Sequence, residues 1–213
     1  MTMPSSARAE PTTPADQLTL LDAFNVDSSA AEGFATCEHR LSAAQVAAMM
    51  RPSLDRGWCL ESVALAGLSS VLQRCIGRVV LAVAPETRDS PAVALPPAPT
   101  GPATGSTWIT GIESCRNSGA SVPAPMGEPH CLWAKLDEAN AAQRAEASAA
   151  TPIVVGWLDG DPGRWGARFL PGSIRPDQAL ALLRAAARAA IQMAERPDAP
   201  FDDLALADVD ERE

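Results

Sequence analysis

The side chains able to do acid–base or metal chemistry are few: His39 in "TCEHR", His130 in "EPHCL", and cysteines at 37, 59, 75, 115 and 131. An imidazole is the group that titrates near neutrality, but a general base also needs a partner that orients it. Glu38 and Arg40 flank His39 with no spacing that would activate it, so His39 reads as an edge histidine, and His130 offers no more. Cys37, His39, His130 and Cys131 have the donor types and number of a structural zinc site. On strands, however, Cys37 and His39 share a face, whereas the adjacent His130 and Cys131 point to opposite faces and make a poor tetrahedron. Cys59 and Cys75 fall within a helical pattern and read as small core residues. The odd, irregularly spaced set of five reads as reduced thiols. No G-x-S-x-G, phosphate-binding loop or G-x-G-x-x-G is present, and the glycines of "GDPGRWG" suit a hairpin turn. Trp157 and Trp165 read as core packing. The expected set of catalytic, cofactor-binding and metal-binding residues is therefore empty, and no cofactor is implied.

The elements that would position any site are clearer. Residues 1–16 are polar and rich in Pro, Ser and Thr, the composition of a disordered leader, and "QLTLLDAFNV" follows as a short docked element. "GFATCEHRL" alternates like a strand. Ser42 with Gln45 three residues on has capping-box spacing, and Arg51-Pro52 is expected to end that helix. In "WCLESVALAGLSSVLQRCIGR", Leu60, Val63, Ala64, Leu68, Val71, Leu72 and Cys75 form an apolar face. Glu61, Ser69, Ser70, Gln73 and Arg74 take the wet one, and Gly77 closes the helix. "RVVLAVAP" reads as a buried strand.

Prolines through 85–106 exclude a helix and any central strand, leaving a surface loop. "TWITGIES" predicts a strand, "HCLWAKL" is a short apolar stretch, and "DEANAAQRAEASAA" has helical propensity without an apolar stripe. "PIVVGWLDGDPGRWGARFL" predicts a hairpin: Ile153, Val155 and Trp157 share one face of the first arm, and Trp165, Ala167 and Phe169 one face of the second. From Pro176 a long alanine-rich helix presents Leu180, Leu183, Ala187, Ala190, Ile191 and Ala194 to a sheet. Arg184, Arg188, Gln192 and Glu195 face water.

The totals restrict the function. Near-half apolar content in 213 residues supports one domain with tails. A net charge of −9 with scattered cations disfavours nucleic acid and anionic membrane surfaces as partners. No apolar run approaches the roughly 20 residues of a membrane span, and the N-terminus lacks a signal-peptide core, so a cytoplasmic location is expected. The tail acids (Asp202, Asp203, Asp208, Asp210, Glu211, Glu213) read as a solvated exit segment.

Two stretches together resemble the C-terminal lobe of condensation domains from nonribosomal peptide synthetases. The first is "HRLSAAQVAAMMRPSLDRGWCLESVALAGLSSVLQRCIGRVVLAVAPETRD". The second joins "VVGWLDGDPGRWGARF", "IRPDQALALLRAAARAAIQMAERPDAP" and "FDDLALADVDERE", and "WITGIESCRN" between them resembles the family's strand entering an asparagine-bearing loop. The order is collinear over about two-thirds of the chain, although no single motif is diagnostic. The resemblance implies an α/β fold, a single lobe of the chloramphenicol acetyltransferase type with a mixed sheet and helices packed on one face. It would occupy residues 17–200, followed by an acidic exit tail over 201–213.

Two departures accompany it. The family's catalytic H-H-x-x-x-D-G motif follows neither histidine, and the proline-rich segment replaces the stretch that usually crosses to the other lobe. No catalytic residue is carried over. The resemblance implies a non-catalytic or partner-completed half domain of natural-product biosynthesis, binding a carrier protein or a second condensation-like lobe. A lone lobe is expected to expose an apolar patch where its twin would sit. The alternatives are a structural or interaction remnant without chemistry, and a small homo-oligomeric acyltransferase with His39 or His130 at an interface.

Overall fold

The computed structural model describes residues 34–76, 81–84, 93–96, 103–118, 131–136, 153–169, 174–200 and 203. The expected leader, the element at 17–26, Gly77, His130, the helix-prone stretch 137–150 and all of the tail but Asp203 lie outside them.

Among the described residues six strands form one mixed sheet: β1 (Ala35–Arg40), β2 (Leu81–Val83), β3 (Val93–Ala94), β4 (Cys131–Trp133), β5 (Ile153–Trp157) and β6 (Arg164–Phe169), in the order β1-β6-β5-β4-β2-β3. The β4 pairs with β2 and β5 are parallel; the other neighbours are antiparallel. Four helices accompany it among these residues: α1 (Ala43–Asp55), α2 (Leu60–Ile76), α3 (Gly105–Ser118) and α4 (Pro176–Glu195). The chain thus has the expected single α/β lobe. Its main core joins the helices to one sheet face, through Cys131, Trp133, Ile153, Val155, Trp165, Ala167 and Phe169. A small second cluster, Ala134, Leu136 and Val154 with Leu132 and Leu158 against it, lies on the other face. Among the described residues no helix is long and apolar enough to cross a membrane. Leu54 is the large apolar side chain exposed among them, so the broad apolar patch expected of a lone lobe is not found there.

The hairpin pairs as its pattern requires, with Ile153 opposite Phe169, Val155 opposite Ala167 and Trp157 opposite Trp165. Asp159 and Gly160 turn at positive φ, and Asp161 accepts from the Gly163 N–H at 2.8 Å. Both halves of the Ser42–Gln45 capping box form.

Other expectations are corrected. Helix α1 runs through Pro52 and ends three residues later, in a Schellman motif. Trp58 N–H donates to the Ser53 carbonyl at 2.8 Å and Gly57 N–H to that of Leu54 at 3.0 Å, with Gly57 at φ 69°. The glycine, not the proline, sets the boundary, because only Gly adopts that conformation without strain.

Helix α2 has no wet face along its middle. Residues 62–72 are all buried, Ser62, Ser69 and Ser70 among them, because α1, α3 and α4 surround the helix. Ser70 satisfies its hydroxyl on the Gly67 carbonyl at 2.7 Å. Cys59 and Cys75, at either end, are exposed rather than core. In α4 the buried face centres on Ala179, Leu182, Leu183, Ala186, Ala187, Ala190 and Met193, with Leu180 and Ile191 at its margins.

"TWITGIES" is helical, not a strand, and Asn117 lies within α3 rather than in a loop. Thr104 starts this helix, its carbonyl accepting from Trp108 N–H at 3.1 Å, and Trp108, Ile109 and Ile112 form the buried side. The proline-rich segment contributes β3, a two-residue edge strand, the place in a sheet where prolines nearby are tolerated.

Candidate functional site

Four separate segments line an open cleft of about 460 Å³. The α1–α2 joint and first turn of α2 supply Gly57, Cys59 and Ser62. The ends of β2 and β3 supply Val83, Ala84 and Val93, and the last turns of α3 supply Glu113, Arg116 and Asn117. Val83 and Ala84 stand at the carboxyl end of a parallel strand, the end at which open α/β sheets hold ligands.

Beside this cleft runs a half-buried polar network. Glu61 accepts from Trp133 Nε1 at 2.7 Å through one oxygen and pairs with Arg116 Nη2 through the other. Arg116 Nη1 donates to Ser62 Oγ at 3.1 Å and lies 3.5 Å from Cys59 Sγ. Glu113 Oε1 accepts from the Cys59 backbone N–H, capping the start of α2. Trp133 in turn meets Trp157 and Trp165 edge-to-face, with centroids 5.7 and 5.8 Å apart. The expected packing role of Trp157 and Trp165 is what the structure gives them.

The residues weighed for chemistry lie elsewhere. His39 sits on β1 opposite Trp165, and burial first, then the charges of Arg184 and Arg188, hold its imidazole below the usual histidine range. Neither ring nitrogen has a hydrogen-bond partner among the described residues, so nothing there orients it as a base. Cys37 faces Ala167, and the same row crosses Val155 to Trp133 on β4. Cys37 and Cys131 are therefore three strand spacings apart, about 14 Å at roughly 4.8 Å each. One zinc ion cannot take Cys37 and His39 together with Cys131. Cys131 is fully buried, and burial pushes its thiol far above the ordinary range.

Helical spacing assigns Glu61 to the wet side of α2, and the sequence alone assigns no chemistry to Glu113, Arg116 or Asn117. One signal was available: Glu113, Arg116 and Asn117 recur at i, i+3, i+4, one face of a helix once the segment is read as helical.

No family model matches the chain, and no curated protein matches its sequence. Solved structures do match its fold. The X-domain in its complex with OxyB from teicoplanin biosynthesis superposes with a TM-score of 0.60 and 15% identity, over 91% of this chain and 57% of that one. The first condensation domain of the calcium-dependent antibiotic synthetase, with a substrate analogue, gives 0.63 and 14%, over 91% and 50%. A holo four-domain nonribosomal peptide synthetase bound to AMP and glycine gives 0.66 and 10%, over 95% and 21%. The chain has the fold these domains share, and it spans about half the length of a condensation domain or X-domain.

Proposed function

We propose that this protein is a condensation-like lobe of nonribosomal peptide or related natural-product biosynthesis, not active alone, that binds a carrier protein or a complementary lobe. The observation supporting this is the asymmetry of coverage, with some nine-tenths of this chain matched against half of each condensation-type domain. The sequence carries no H-H-x-x-x-D-G, and among the described residues His39 has neither an orienting partner nor a carboxylate acting on it. One structure of this fold is itself a protein complex, that of the X-domain with OxyB, which favours a binding role for this chain. On this reading residues 17–200 are the lobe, 1–16 a leader and 201–213 an exit segment, in a cytoplasmic protein.

Native mass spectrometry of the chain, alone and mixed with phosphopantetheinylated carriers and lobe-bearing proteins of the same source, tests the proposal. A monomer that captures one of them is expected. A monomer that captures none overturns it, and a stable trimer alone would favour an interfacial acyltransferase instead.

A further inference from the structure

Among the described residues, the lining of the cleft holds one cation and one carboxylate. Arg116, its cation, is held by Glu61 behind the wall and has Ser62 Oγ and Cys59 Sγ on its other nitrogen. Both Glu61 oxygens are engaged, on Arg116 and on Trp133. Glu113 uses Oε1 on the Cys59 N–H, and no cation among the described residues neutralises it. Asn117, one helical turn on, is exposed and has no partner among them. Val83, Ala84 and Val93 add apolar side chains to the same lining. Carboxylate and amide oxygens can accept several hydrogen bonds at once, and the low-dielectric wall strengthens attraction to an unmatched charge.

We infer that this cleft is a binding site for a small organic cation, an alkylammonium group on a short apolar body. The ammonium sits against the Glu113 carboxylate and the Asn117 amide oxygen, and the alkyl part lies on Val83, Ala84 and Val93. An anion of the same shape is rejected, because the cation facing the cleft is already paired and the remaining carboxylate repels it. This assignment rests on the cleft alone and does not depend on a carrier or second lobe.

Titration of the full chain by ¹H–¹⁵N correlation spectroscopy, with n-butylammonium, butyrate and n-butanol as separate probes, tests it. The reporter is the Cys59 amide, whose N–H is bonded to Glu113. Saturable shifts with n-butylammonium at millimolar concentration are expected, with at least tenfold weaker binding of butyrate and n-butanol. Glu113→Gln keeps an oxygen for the Cys59 cap and removes only the charge, and is expected to weaken n-butylammonium about tenfold. Asn117→Ala should weaken it about threefold, and Glu38→Gln, on β1 at the far edge of the sheet, should leave it unchanged. Non-saturating shifts, equal binding of butyrate, or Glu113→Gln and Asn117→Ala both binding n-butylammonium as the parent does would overturn the assignment.

Discussion

The middle and the first turn of helix α2 are held in opposite ways. Its middle lies against α4 with almost no space: a Cβ on Gly67 would stand 2.5 Å from the Ala186 carbonyl oxygen and 2.6 Å from the Ala190 nitrogen. Its first turn instead leans on α3 through Glu61, Ser62, Arg116, Cys59 and Glu113, beside an open cleft. Close-packed backbone tolerates no addition, since neither helix can withdraw without opening the core. A polar network beside water can lose a member and be partly rehydrated. Shape thus fixes the helix at its middle, while at its first turn chemistry fixes it and leaves room for a ligand.

The sharpest test of that contrast is Gly67→Ala. The added methyl meets backbone atoms, and overpacking should cost about 3 kcal/mol, outweighing the gain of about 1 kcal/mol from helix propensity. Urea denaturation followed by circular dichroism measures it. Glu61→Ala comes next: it strips Trp133 Nε1 and Arg116 of their acceptor in a half-buried setting and should cost about 2 kcal/mol. Glu61→Gln, which keeps an acceptor, should cost about half as much. If Glu61→Ala proved as damaging as Gly67→Ala, the distinction between middle and first turn would fail.

A smaller effect is expected at the α1–α2 joint. Gly57 sits at φ 69° with open space around its Cα, so Gly57→Ala adds only backbone strain, about 1 kcal/mol. Smallest is the pH response of His39. Burial and the Arg184 and Arg188 charges lower its folded-state pKa below the unfolded value, so the unfolded chain binds the proton more readily. Stability is full above the unfolded value near 6.5 and falls as pH drops toward the folded one. The melting temperature should decline more between pH 7 and 5 in the parent than in His39→Asn, and equal declines would remove His39 as the source.

Local signals carried much of this fold into view. The Ser42–Gln45 box and the β5–β6 hairpin are written in residues a few positions apart, and both formed as spaced. Helix α3 was misread because Thr107, Trp108, Ile109, Thr110 and Ile112 favour strands intrinsically, while burial of Trp108, Ile109 and Ile112 on one side decided otherwise. The buried serines of α2 look like a solvent face until three helices surround them. The cleft was not legible at all. Its walls come from 57–62, 83–84, 93 and 113–117, and nothing local in any of the four announces that the others are adjacent.

The position of β1 at the sheet edge has a consequence for how the chain is made. Ala35 pairs with Phe169 and Arg40 with Arg164, and the same strand is covered by α4. During synthesis the first strand leaves the ribosome long before its neighbour exists, with α1 and α2 emerging behind it. It acquires a sheet only when the hairpin arrives, and a roof only when the last helix does. Such long-range pairing slows folding, and a nascent chain halted before residue 164 would hold an unpaired strand, open to whatever edge it meets first.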